Sequence, residues 1–181
     1  MIPFRGLPLI VFLWLAVLTP LSAADPIRVL VWDEQQPEQK QAYGSKYLGE
    51  TIAAYLEQQP GLVVKTAALS DPQQGLDDQT LDKTDVLVMW SHGRAKEQDD
   101  LRAEAVVKRV LAGKLSLIAL HSAHWAKPYV LLMQERAKAD ALRQIPEAER
   151  QTAKWIFLND KPIHKGVKAD TPLTPSLKKV D

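Results

Sequence analysis

Short apolar runs alternate with amphipathic segments along the middle of the chain. Each run is almost wholly apolar, which is typical of a strand buried on both faces of a parallel sheet. Four such strands are predicted, at residues 27–32, 62–69, 84–90 and 115–120. Amphipathic helices are predicted at residues 44–59, 100–114 and 129–145, with a polar connector at 71–79. This alternation predicts an α/β fold in which a parallel sheet has helices on both faces.

Two details of the helices follow from the same pattern. Residues 44–59 place Leu48, Ile52, Tyr55 and Leu56 at helical spacing, so these side chains should share one buried face. Gly113 is the expected end of the helix that precedes the fourth strand.

The first 24 residues have a different character. Arg5 is followed by an apolar run at residues 9–18 and then by Ser22, Ala23 and Ala24. This is the plan of a secretory signal peptide cleaved after Ala24, and a ten-residue apolar core is short for a membrane anchor. We therefore expect an exported protein, periplasmic or secreted, whose mature domain covers residues 25–181.

Composition and charge narrow the choice of partners. The full chain of 181 residues has a formal charge of +1, and the mature domain carries equal numbers of basic and acidic residues. That balance disfavours a nucleic-acid partner. The chain contains no cysteine, so no disulfide can stabilise the exported domain.

Polar residues follow three of the predicted strands, at the edge where parallel strands end. Ligands bind beyond the carboxyl ends of such sheets, where loops present free N–H groups. The residues are Asp33 and Glu34 after the first strand, His92 and Arg94 after the third, and His121, Ser122 and His124 after the fourth. Because these strand ends share one edge, we predict a histidine-lined site there.

Each of these residues also has a structural interpretation. A histidine at a strand end often caps or packs, and an Asp-Glu pair often begins a turn. Trp32, Trp90 and Trp125 lie near the same edge and are either core or rim aromatics, or apolar faces for a sugar ring.

Three blocks of the sequence resemble a known family. IRVLVWDE, the segment from PQQGL to DVLVMWSHG, and above all GKLSLIALHSAHW are similar to the ThuA-like (trehalose utilisation) proteins of the class I glutamine amidotransferase-like superfamily. The resemblance is good over residues 26–135 and loose over 136–181. It implies a flavodoxin-like fold and a carbohydrate substrate. Since such relatives continue through further strands, it also implies that the C-terminal part of the fold is missing.

The resemblance assigns a role to the turn after the fourth strand. Residues 119–123 stand where amidotransferase relatives have a nucleophile elbow, with His121 in place of the nucleophilic cysteine. Without cysteine, glutamine amidotransferase chemistry is excluded. We expect a helix to begin at once after the elbow, and its N-terminus to disfavour an imidazolium. A neutral His121 could act as a base, a hydrogen-bond donor or a metal ligand, and the Ser122 N–H could serve an oxyanion.

A divalent metal is the one cofactor that the pattern suggests. His92, His121 and His124 could supply three nitrogen ligands, with Asp33 or Glu34 as a carboxylate partner. Two departures from the family weigh against a shared site. Ala95 stands where many relatives have a second histidine, and the family's His-Pro-Ile reads Lys161-Pro162-Ile163 here, with His164 displaced downstream.

Two functions of different classes remain open. The first is an exported enzyme that abstracts a proton next to the carbonyl of a keto-sugar or disaccharide derivative. His121 would be the base or electrophile, His92 and His124 would orient the substrate, and Asp33 or Glu34 would fix a histidine tautomer or bind a hydroxyl. Ser122, Arg94 and the three tryptophans would bind substrate. The second is a non-catalytic module that binds a glycan or a protein on the same edge.

Overall fold

The computed structural model describes residues 25–155. The proposed signal peptide at 1–24, and the segment 156–181 that contains Lys161 and His164, lie outside the described residues. Within residues 25–155, no helix is both long enough and apolar enough to cross a bilayer.

The core of the fold is one sheet of four strands. They are β1 (Ile27–Asp33), β2 (Leu62–Ala68), β3 (Val86–Trp90) and β4 (Ser116–Leu120). The order across the sheet is β2-β1-β3-β4, and every neighbouring pair is parallel. This confirms the predicted α/β, flavodoxin-like arrangement and places all four carboxyl ends along one edge.

Helices lie on both faces of this sheet. They are α1 (Gln39–Ala42), α2 (Leu48–Leu56), α3 (Asp78–Asp82), α4 (Asp100–Leu111), α5 (Lys127–Leu142) and α6 (Glu147–Arg150). Alternate residues of β1 show the two layers. Leu30 and Trp32 pack in a cluster with residues of α3, α4 and the start of α5, whereas Val29 and Val31 pack with α2. Successive side chains of a strand point to opposite faces, so this separation is expected.

The start of α2 differs from the prediction. The helix begins at Leu48 rather than at residue 44, because Gly44 and Ser45 both have positive φ angles and form a turn that no helix can include. The Glu50 carboxylate accepts a hydrogen bond from the Tyr47 N–H at 2.7 Å and stabilises the new start. Tyr55, predicted on the buried face, is 66% exposed.

Two further predictions concern the end of α4 and the connector before β3. Gly113 ends the α4 segment with a φ of +68°, as predicted. The polar connector at 71–79 is not wholly irregular, because α3 begins within it. Asp77 caps that helix by accepting a hydrogen bond from the Thr80 N–H at 3.0 Å.

The buried strands should dominate stability. Leu87, on β3, is completely buried, so Leu87→Ala should leave a cavity and lower the free energy of unfolding by about 3 kcal/mol. Leu101→Ala is the matched control: Leu101 lies on α4, is 66% exposed, and should cost less than about 0.5 kcal/mol. Urea denaturation followed by circular dichroism measures both, and equal losses would contradict the assignment of the core.

Candidate active site

The carboxylate of Asp33 ends β1 and holds the start of α2. Its Oδ2 accepts a hydrogen bond from the Gly49 N–H at 2.6 Å, and its Oδ1 accepts one from the Gln35 N–H at 2.6 Å. A Cβ added at Gly49 would lie 2.7 Å from the Asp33 Cβ, so the helix can approach this closely only with glycine there. Burial raises the pKa of Asp33, and the two N–H donors oppose that shift only in part.

The neighbouring Glu34 carboxylate is completely buried and organises the loop after β3. It accepts hydrogen bonds from the Ser91 hydroxyl at 2.7 Å, from the Gly93 N–H at 2.7 Å and from the Arg94 N–H at 3.1 Å. The Gln36 amide also donates to it. Burial alone would raise the pKa of Glu34, but these hydrogen bonds outweigh burial and lower it.

These contacts revise the roles predicted for the polar residues after β1 and β3. Among the described residues, no hydrogen bond joins either carboxylate to a histidine ring, and both side chains are buried. Their hydrogen bonds with N–H and hydroxyl donors fix the backbone around the site. Arg94 is similarly engaged, since its guanidinium donates to the Glu34 carbonyl at 3.0 Å and pairs with Glu97 at 2.7 Å.

A chain of hydrogen bonds continues from Glu34 across the site. The Ser91 hydroxyl accepts a hydrogen bond from the Gln98 side-chain amide at 3.0 Å. The carbonyl oxygen of the same Gln98 side chain, Oε1, accepts a hydrogen bond from the Lys127 N–H at the start of α5, at 2.8 Å. Gln98 is buried and connects the loop after β3 to α5. Nothing in the sequence pattern distinguished it, because one glutamine in a polar loop carries no signal.

The sharp turn predicted after β4 is present. His121 has a φ of +37°, a left-handed conformation that non-glycine residues rarely adopt, and its side chain is exposed. Its Nδ1 lies 2.7 Å from the hydroxyl oxygen of the buried Ser122. Strain of this kind persists where the surrounding structure enforces it, and it is frequent at functional sites.

The helix predicted directly after this turn is displaced. Residues His121–Trp125 form a 3₁₀ turn, Ala126 is extended, and α5 begins only at Lys127. The N-terminus of an α-helix is therefore not directly beneath His121, and the expected electrostatic bias against an imidazolium loses its basis.

The three histidines of the edge do not form the predicted metal site. Within residues 25–155, no three His, Asp or Glu side chains are grouped so that they could hold a metal ion. Their rings have separate neighbours: His121 contacts Ser122, His124 packs against Trp125 with ring centroids 4.9 Å apart, and His92 lies 6.4 Å from Trp90. The His124 Nδ1 also lies 3.3 Å from the His121 carbonyl oxygen.

A cleft of about 580 Å³ opens beside these residues, between the loop after β3 and the start of α5. One wall is apolar, with Trp125 49% exposed beside Val130 and Leu131. The polar side chains that line it are His92, Lys96, Asp100 and Lys127. The cleft lies at the carboxyl edge, where ligands bind in open α/β sheets.

The structure thus brings together only part of the predicted set. His92 and Trp125 line the cleft, while Trp90 is half-buried beside His92. His121 and His124 lie on the same short turn as Trp125 but are not among the residues that line the cleft. Of the two interpretations of Trp32, a core residue or a face for a sugar ring, the structure agrees with the first: Trp32 is completely buried, and its indole N–H donates to the Gln74 carbonyl at 2.8 Å. Sequence reasoning missed Lys96 and Lys127, because exposed lysines are common everywhere.

No protein-family model matches the sequence, and no curated protein matches it significantly.

The strain at His121 predicts an unusual order of stabilities. His121→Gly should be more stable than His121→Ala by about 1 kcal/mol, because only glycine adopts a left-handed φ without a steric penalty. At Ile118, an exposed position within β4, alanine should instead be the more stable replacement by about 0.5 kcal/mol. Chemical denaturation of the four variants tests this, and the same order at both positions would contradict the turn.

The pKa values of the two adjacent carboxyl groups should shift in opposite directions, with that of Asp33 above and that of Glu34 below its ordinary value. Asp33, whose folded pKa is raised, should lower stability as the pH rises from its unfolded pKa through its folded pKa. Glu34, whose folded pKa is lowered, should add stability above its unfolded pKa and lose it as the pH falls through its folded pKa. Carbon-13 NMR titration of the side-chain carboxyl groups measures both values. Shifts of the same sign would contradict the hydrogen-bond assignment.

Proposed function

We propose that the chain is an exported, ThuA-like protein that acts on a keto-sugar or disaccharide derivative at the carboxyl edge of its sheet. The observation that supports this most is the strained, exposed His121 at the end of β4. It stands at the position to which the family resemblance gives the reactive side chain. The strained backbone of His121 is not offset by burial of its side chain, which is exposed, and this combination favours a chemical role for the residue.

The cleft supports the binding half of the proposal. An apolar tryptophan face beside a few polar groups suits a sugar ring, which has both C–H faces and hydroxyl edges. Trp125 offers such a face, and His92 is among the polar residues that line the same cleft. Because residues 121–125 form one short turn, a sugar packed against Trp125 would lie close to the elbow that carries His121.

The chemistry assigned to His121 is proton abstraction next to a carbonyl. The His121 Nδ1 lies 2.7 Å from the Ser122 hydroxyl oxygen, and in the tautomer whose Nδ1–H donates to that oxygen the Nε2 lone pair is available as the base. Nε2 would take the proton from the carbon, and the C–H electron pair would move into the carbonyl to form an enediolate. The predicted donor to that oxyanion is the Ser122 N–H. Return of a proton from Nε2 would complete the cycle.

A non-catalytic binding module is the second candidate. The observation that favours it is the engagement of Asp33 and Glu34 with backbone and hydroxyl donors, so that neither of these two carboxylates orients a histidine ring. In this alternative the cleft binds a glycan, and the histidines only form hydrogen bonds.

Exchange of the substrate's α proton distinguishes the two candidates. Incubation of keto-sugars with the protein in deuterated water should remove the α-proton signal from the ¹H NMR spectrum. His121→Asn, which keeps a residue tolerant of positive φ, should slow exchange at least about 100-fold while ligand affinity stays within about twofold.

Trp125→Ala is the complementary variant for binding. It should weaken sugar affinity about tenfold by removing the stacking face, with less effect on exchange at saturating sugar. Binding by the wild-type protein without any exchange would establish the binding module instead, and undiminished exchange by His121→Asn would exclude His121 as the base.

A further inference from the structure

The polar groups of the cleft are mostly hydrogen-bond donors. Lysine ammonium groups line it at Lys96 and Lys127, and a histidine lines it at His92. The one carboxylate in the lining is Asp100, whose Oδ1 pairs with the Lys127 Nζ at 2.6 Å. Donors therefore outnumber acceptors among these side chains, which favours a sugar that carries an additional acceptor group.

The charge of Lys96 is left uncompensated. None of the ion pairs found within residues 25–155 includes Lys96, and the residue is exposed. Its neighbour Glu97 does not neutralise it, because both Glu97 carboxylate oxygens accept hydrogen bonds from Arg94, at 3.0 Å and 2.7 Å. Since Asp100 and Lys127 offset one another, the lining carries a net positive charge from Lys96.

From this distribution we infer that the cleft selects a sugar acid, with the sugar ring on Trp125 and the carboxylate at Lys96. The inference rests on the proposed function and specifies its substrate class. The apolar wall of Trp125, Val130 and Leu131 suits the C–H face of a sugar ring. The Lys96 ammonium group suits an acceptor, and a carboxylate gives the stronger, charge-assisted hydrogen bond.

Lys96 is then the residue that determines specificity. It lies on the loop whose start is held by the buried Glu34, so the ammonium group extends from a fixed backbone. Removal of its charge should affect acidic ligands and spare neutral ones, since uncharged hydroxyls do not depend on an ammonium partner to the same degree.

Calorimetric titration of the full chain with three probes tests the inference: D-glucuronate, D-glucose and inorganic phosphate. Wild-type protein should bind glucuronate at least about tenfold more tightly than glucose or phosphate. Lys96→Gln should weaken glucuronate binding about tenfold and leave glucose binding unchanged. Lys114→Gln, an exposed lysine before the amino end of β4, is the matched control and should change neither.

The outcomes separate this inference from the proposed function. Equal affinity for glucuronate and glucose, or a Lys96→Gln variant that keeps the preference for the acid, would overturn the inference and leave the proposed carbohydrate function standing. Phosphate bound as tightly as glucuronate would overturn it too, because the cleft would then recognise charge without the sugar. Binding of neither sugar would overturn the inference alone, because the proposed function is tested separately by deuterium exchange of keto-sugars.

Discussion

The carboxyl edge of this sheet depends on one buried anion, the Glu34 side chain. An unpaired carboxylate in a protein interior would be very costly, and here a hydroxyl, two backbone N–H groups and a side-chain amide offset that cost. The same bonds fix the loop after β3. Through Ser91 and Gln98 they extend to the first turn of α5, so that the two walls of the cleft are held by one connected network.

The strands were predictable because each is a short, mostly apolar run, although only the central strands β1 and β3 are mostly buried while β2 and β4 at the sheet edges are largely exposed or half-buried. Each strand of the structure lies within one residue or two of its predicted position. Helix ends were less predictable, since they depend on local backbone conformations that hydrophobic periodicity does not encode. The left-handed turn at Gly44 and Ser45 delays α2, and the short α3 exists because Asp77 caps it.

The location of the site could be predicted from the sequence, but the side chains that form it could be predicted only in part. Alternation of strands and helices places β1, β3 and β4 side by side, so residues after them must share an edge. Which side chains meet there depends on the loops. Trp32 packs in the core cluster on one face of the sheet, and a 3₁₀ turn stands where a helix was expected, with His121 outside the cleft that His92 lines. Gln98 and Lys96 acquire their importance only from tertiary neighbours.

The close approach of α2 to the end of β1 has an evolutionary consequence. Gly49 has no room for a methyl group because the Asp33 side chain occupies the space, while its N–H is bound by that same side chain. Replacement of the glycine adds a clash, and a shift of the helix that relieves the clash weakens the hydrogen bond. Because the clashing atom is the Asp33 Cβ, which every residue other than glycine carries, changing the side chain at position 33 does not make room for a larger residue at position 49, although sixteen residues of sequence separate the two.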